Sequence, residues 1–238
     1  MDLNDEEKLE ILYDFFSEDD LLAINKINND GRLKKETKIK RKYKYLTSIL
    51  PYQYLIEEMK ERIDLDASEI CKLVNSYSQN PLEIDVQVSL KLFAFDSVCC
   101  FNYDPIENTK VHDILYSTRG IYVFIMNNDY SVPEDFDEAI KGAPLRKNIK
   151  SFKKGEILYI GKTDSFLTRM HQHFEKDNEL NKTGAIKLGS AHRKGLKEKV
   201  LIYAFQINKN YRKLYEMIGS TTERRLHDYF ENYILGNK

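Results

Sequence analysis

The chain has no tryptophan and only three cysteines among its 238 residues. Cys71, Cys99 and Cys100 form no C-x-x-C pair and are odd in number, so neither a disulfide framework nor a zinc site is indicated. Two of them, adjacent in an apolar run, read as buried thiols of a reducing compartment. No apolar run approaches the roughly 20 residues that cross a bilayer. The amino terminus, MDLNDEEKLE, is acidic and lacks the apolar stretch of a signal peptide. A cytoplasmic protein without a membrane partner is expected. Internal repeats and low-complexity tracts are missing too.

What the chain does have is a core and a charge asymmetry. Hydrophobic residues make up 42% and aromatic residues 12%, enough for a folded protein. The formal net charge is only -1. Residues 145–238 nevertheless hold 20 Lys/Arg against 10 Asp/Glu, a net of +10, which leaves -11 on the first 144. A basic carboxy-terminal half points to a polyanion. Mutual attraction of two oppositely charged parts of the chain is the plainer reading.

Apolar spacing predicts a helix over 4–28. The stretch RLKKETKIKRKYK, 32–44, carries eight basic residues and one acid. Lys34, Lys35, Lys38, Lys40, Arg41 and Lys42 are candidate phosphate contacts there, with a solvated helix face as the alternative. A helix is expected over 51–63. Asp66 or Ser68 is placed to cap a short one through Leu73, with SYSQN as a turn and a second helix opening at Pro81. That spacing is helix–turn–helix-like, and it is equally that of ordinary helical packing. Residues 88–101 are nearly continuous apolar sequence, expected in the core of an amino-terminal domain. The polar segment 102–110 marks the boundary, giving domains at 1–110 and 111–238.

The texture then changes. GIYVFIM (120–126), EILYIGK (156–162) and KVLIYAFQI (199–207) read as strands. Asp164 or Ser165 caps a helix to about Lys176, helices are expected over 210–218 and 221–235, and a short one around Glu134–Lys141. The expected class is α+β: a small three-stranded antiparallel sheet flanked by helices, behind a mainly helical amino-terminal domain. On the helix after the second strand, Leu167, Met170 and Phe174 form the packing stripe. Arg169 and His173 stack one turn apart at its edge.

Gly-Ile-Tyr at 120–122, Tyr-Ile-Gly at 159–161, an arginine ten residues after Tyr159 and a histidine four beyond it together resemble the GIY-YIG nuclease family. The likeness covers about 115–238. It implies a Mg²⁺- or Mn²⁺-dependent endonuclease acting on double-stranded DNA. Tyr122 would be the general base or orient the attacking water. Tyr159 and Arg169 would contact the scissile phosphate, Lys162 would assist the base, and His173 would stand where members have His or Tyr. Glu223, in STTERRLHDYF, would hold the metal. Asn237 would match an asparagine that some members have. The chain departs from the family in a long interval, 123–158, between the two triplets. That interval is expected to form a loop over the site, with Lys147, Lys150, Lys153 and Lys154 facing DNA. Where one branch has a second histidine, this chain has Thr183; His171 and His192 are nearby substitutes, with His171 expected to face solvent.

The residue chemistry suits such a set. A phenol with pKa near ~10 is a poor base unless a cation lies close, and Lys162 is the expected one. Arginine offers fixed, always-charged donors to phosphate. One carboxylate with water and phosphate oxygens suits Mg²⁺. The plain alternatives are strand aromatics for the tyrosines, surface helix groups for Arg169 and His173, and a Ser220-x-x-Glu223 capping box. A restriction-type enzyme fits the compact chain best. A homing or structure-selective repair nuclease and an inactive nucleic-acid-binding module are the alternatives. Cutting both strands would call for a homodimer on DNA, which no sequence feature specifies.

Overall fold

The computed structural model describes residues 18–49, 52–102, 112–116, 118–134, 136, 150–174, 186–190, 193 and 195–230. Among the described residues three helices come first: α1 (Glu18–Asn29), α2 (Lys35–Ile49) and α3 (Tyr52–Gln79). Strands β1 (Val86–Ser89) and β2 (Phe95–Phe101) follow, then the short α4 (His112–Tyr116). Next are β3 (Gly120–Met126), β4 (Tyr130–Ser131), β5 (Ser151–Phe152), β6 (Ile157–Thr163) and α5 (Phe166–Phe174). After these come β7 (Val200–Ile207), a 3-10 turn Lys209–Leu214 and α6 (Tyr215–Tyr229). The protein is thus a mixed helix and strand fold.

The main sheet is larger than the sequence suggests. It has five strands in the order β1-β2-β7-β3-β6, all neighbours antiparallel, rather than three. The extra two come from 86–101, which contains the 88–101 run expected in the core of an amino-terminal domain. Phe101 pairs with Ile202 and Cys99 with Ala204, so ladder hydrogen bonding crosses the expected boundary at 102–110. A run as apolar as 95–101 is buried on both faces, and a central strand is the place for it.

Two cores lie on the two faces. On one, Tyr122, Phe124, Tyr159, Ile202 and Ala204 pack against Phe166, Met170 and Phe174 of α5. On the other, Ile121, Val123, Ile160, Tyr203 and Phe205 pack against Ile63, Ile70 and Val74 of α3 and Ile218 and Leu226 of α6. Arg225 of α6 grips Asp64 of α3 with two 2.7 Å hydrogen bonds, pinning the two helices together.

The helix–turn–helix expectation fails: α3 runs unbroken from Tyr52 to Gln79, and β1, not a helix, follows Pro81. The polar SYSQN stretch stays helical because Tyr77 within it is buried and stacks on Tyr203, ring centroids 5.0 Å apart. Asp66 caps no helix start. It lies inside α3, and its carboxylate accepts the backbone N–H groups of Phe93 (2.9 Å) and Ala94 (2.6 Å). Likewise 210–218 is not one helix, because a 3-10 turn precedes α6 at Tyr215.

The interval between the two triplets adds β4 and β5, a two-stranded ladder of its own. Tyr130, Phe136 and Phe152 join the core that contains Tyr122. Residues 4–17, most of Glu134–Lys141, Lys147, Lys176, Thr183, His192 and Asn237 lie outside the described residues.

Candidate active site

The two glycines of the triplets are packing requirements. A Cβ on Gly120 would fall on the Phe205 carbonyl oxygen and sit 3.1 Å from the Phe166 ring. Gly161 is paired with Tyr122 across the ladder, and a Cβ there would collide with the Tyr122 hydroxyl. Leaving that space empty lets the Tyr122 phenol lie flat over β6. Gly161→Ala should therefore displace Tyr122 and destabilise the fold by about 1–3 kcal/mol. Chemical denaturation against the parent measures this.

Tyr122 is the centre of the cluster and is 0% exposed. Its oxygen accepts from Arg169 Nε at 2.9 Å and lies 2.9 Å from His173 Nε2. The tautomer of His173 follows from its other nitrogen. Nδ1 receives the Ile186 backbone N–H at 3.0 Å, so the neutral ring carries its proton on Nε2 and donates it to Tyr122. Tyr159, 8% exposed, stacks on Tyr122 with centroids 5.9 Å apart and shares hydrogen bonds with Tyr122 and Arg169. Tyr122, Tyr159, Arg169 and His173 thus come together in one cluster. Ser165 caps α5 as expected, its hydroxyl accepting the Thr168 N–H at 3.4 Å, and this fixes the helix that carries Arg169.

Burial decides the protonation states. It pushes the Tyr122 phenol well above its usual range, the nearby Tyr159 adds to this, and Arg169 offsets it only in part. Tyr159 is raised for the same first reason. His173 is wholly buried, not at the water boundary as its spacing suggested. Burial, then the charges of Arg169 and Lys187, hold it well below 6.5, so it stays neutral. Unfolded, it would protonate near pH 6.5. The fold should then lose stability as pH falls from about 6.5 towards the depressed folded value, because only the unfolded chain gains the proton. Thermal melts of parent and His173→Gln between pH 7.5 and 5 check the sign: the variant's melting temperature should fall less.

Lys162 departs from expectation. It alternates with Gly161 and so points to the opposite face, toward α6. Its Nζ donates to Glu216 Oε2 and Ser220 Oγ, both at 2.7 Å, and lies 5.7 Å from the Tyr215 ring centroid. Gly219 makes room, since a Cβ there would be 3.4 Å from Lys162 Cδ. Lys162 is therefore held in a cradle on α6 and is absent from the interactions that set the Tyr122 phenol, where Arg169 is the cation. Sequence reading did not single out Glu216, and took Ser220 only as half of a capping box. The capping-box reading of Ser220-x-x-Glu223 also fails, because both residues lie well inside α6.

Glu223 is half-buried beside this cradle. Burial raises its carboxyl above the ordinary range, while Lys162, through its charge and backbone N–H, and Arg169 favour the anion. The cluster thus straddles the edge strand β6, with phenols, arginine and imidazole on one side and Lys162, Glu216 and Glu223 on the other. An open cleft of about 260 Å³ meets it, lined among others by Lys162, Arg169, Gln172 and Glu216. Gln172 accepts from Arg169 Nη1 at 2.7 Å, so the guanidinium spans from the buried phenol to the cleft.

Among the described residues no group of three or more His, Cys, Asp and Glu comes together to hold a metal ion. The carboxylates on the cleft wall are Asp164 and Glu216, Glu216 already bound to Lys162, and Glu223 stands beside that cradle. A cation held there by carboxylate and water oxygens would have the ligands that Mg²⁺ or Mn²⁺ takes, and not those of a closed zinc site.

The remaining expected contacts scatter. Lys34, Lys35, Lys40 and Arg41 are exposed on and just before α2, with Lys38 and Lys42 half-buried and Lys38 Nζ bound to the Asn28 carbonyl at 2.7 Å. Lys153 and Lys154 are exposed, but Lys153 pairs with Asp129 at 2.9 Å. His171 is half-buried, not solvent-facing.

Comparison with family models, characterised proteins and solved structures finds no match to the chain. Among the described residues no helix is long and apolar enough to cross a membrane.

Proposed function

We propose that the protein is a divalent-metal-dependent endonuclease of the GIY-YIG kind, hydrolysing phosphodiester bonds in duplex DNA with restriction-type selectivity. The observation that carries this is Arg169: one guanidinium bound to the Tyr122 oxygen at 2.9 Å, lining an open cleft, within electrostatic reach of the Glu223 carboxylate. A pentavalent phosphate needs fixed positive donors where charge develops, and Arg169 is held in place by Tyr122 on one side and Gln172 on the other. Glu223 would hold the metal, whose chemistry is charge neutralisation on phosphate and activation of water.

Tyr122 is a second-layer group in the resting protein. Its buried phenol, already accepting hydrogen bonds, orients Arg169. It becomes a base only when added positive charge at the site offsets the cost of burying a phenolate. Tyr159 and Arg169, nearer the cleft, are the phosphate contacts. Lys162, in its cradle at the cleft wall, is a phosphate-facing cation rather than a partner of Tyr122.

The test is incubation with a panel of plasmids and branched duplexes in Mg²⁺, with and without chelator. Discrete chelator-sensitive bands support restriction, and cutting confined to flaps or junctions favours a repair or homing role. The full burial of Tyr122 favours a second reading, a nucleic-acid-binding module with a silent site, which would bind without cutting.

A further inference from the structure

Gln206 is an anomaly in β7. Every residue from Val200 to Ile207 is buried, and the sequence VLIYAFQI is otherwise apolar. An amide in such a place costs free energy unless its polar atoms are used. Gln206, 4% exposed, belongs to a built polar set: its Oε1 receives Gln87 Nε2 at 3.3 Å and shares the single Ser97 Oγ proton with Asp96 Oδ1, each 3.1 Å away. Gln87 Nε2 also bonds Ser97 Oγ at 2.9 Å, and Ser97 is itself 5% exposed. The Gln206 amide N–H is left with the Cys99 sulfur at 3.0 Å, a weak acceptor.

This set floors a groove of about 400 Å³. By register, Gln206 pairs with Gly120 and Ser97, and Gln87 with Cys99, so the groove opens on the sheet face that carries Tyr122. Strand spacing of about 4.8 Å and rise of about 3.3 Å per residue place it roughly 10–15 Å from the Tyr122 phenol. Phe166, against Gly120, stands between the two. The hydrogen bonds fix what the floor offers. With its N–H₂ turned inward to Ser97 and Gln206, Gln87 presents its carbonyl oxygen outward, and the Asp96 carboxylate stands beside it. Both are acceptors. Lys209 and Arg212 line the rim, and among the described residues neither side chain has a carboxylate partner.

We infer that this groove binds a nucleotide whose base carries an exocyclic amino group on its major-groove edge, adenine or cytosine, with Lys209 and Arg212 on its phosphate. Acceptors facing an amino group are how side chains single out adenine N6 and cytosine N4. Placing that nucleotide in a DNA strand rests on the nuclease reading above. At about 3.4 Å per step it would lie three or four nucleotides from the scissile bond, a position suited to selectivity.

Titration of the full chain with dAMP, dCMP, dTMP and inorganic phosphate, followed by the side-chain amide resonances of Gln87 and Gln206, tests the groove without requiring cleavage. The expected result is saturable shifts with dAMP and dCMP, and at least tenfold weaker responses to dTMP and phosphate. Gln87→Ala, at an exposed position on the edge strand, should weaken the dAMP and dCMP responses at least fivefold in a protein that still melts cooperatively. Equal responses to dTMP or phosphate, insensitivity to Gln87→Ala, or no shift with any of the four overturns the inference. Silent titration in a protein that cuts DNA removes the groove and leaves the nuclease. Saturable shifts in a protein that never cuts remove the nuclease and leave the groove.

Discussion

Arg169→Ala should lower the single-turnover rate of DNA cleavage by roughly 10³-fold while the protein still folds. Loss of one preorganised donor at a developing anion typically costs 10²–10³, and Arg169 contributes more than one. Its Nε holds the Tyr122 oxygen and its Nη1 holds Gln172, so removal takes the proposed phosphate contact and unsettles the phenol together. A buried phenol oxygen short of one donor costs about 1–3 kcal/mol, which a thermal melt will register. Arg169→Lys sharpens the test. An ammonium keeps the charge but lacks the planar fork that reaches both partners, so it should recover little activity. Cleavage by the alanine variant within tenfold of the parent would remove Arg169 from the chemistry.

Glu223→Gln should abolish cleavage and at the same time stabilise the fold. Burial raises the Glu223 carboxyl above its ordinary pKa, so the folded anion carries a desolvation penalty that the unfolded chain does not. Below the ordinary carboxylate range both states are protonated and the penalty is absent. As pH rises from that range through the raised folded value, the parent loses stability that the glutamine variant keeps. The variant's advantage in melting temperature should therefore be largest at neutral pH and vanish at acid pH. Mg²⁺ or Mn²⁺ should raise the parent's melting temperature and leave the variant's unchanged, since only the parent has the desolvated Glu223 carboxylate to relieve. An equal metal-induced rise in both proteins would place the cation elsewhere.

How much of this was readable in the chain depends on whether the signal was local. The strands 120–126, 157–163 and 200–207 declare themselves by β-branched and aromatic runs. Tyr122, Tyr159, Arg169 and His173 fall on elements whose start and face are set by nearby residues, so spacing was enough to bring them together. Lys162 was misplaced because the same alternation that aligns Tyr159 with Tyr122 sends Lys162 through the sheet to the other side. The meeting of Glu216 and Ser220 with Lys162 was not legible because it depends on where α6 begins, a matter settled by packing on α3. The continuation of α3 through SYSQN depends on Tyr203, more than a hundred residues away, and no local window contains that contact. The assignment of 86–101 to the main sheet is equally non-local, since its partner strand is β7.

The ladder between β2 and β7 also bears on how such a protein can be altered. A fragment beginning after residue 110 would bare the whole flank of β7, with its row of unanswered amides and carbonyls, as a template for self-association. The carboxy-terminal and amino-terminal parts are thus stitched rather than strung together. Exchange of one amino-terminal unit for another, easy where a flexible tether joins two bodies, would here have to supply two matching strands as well.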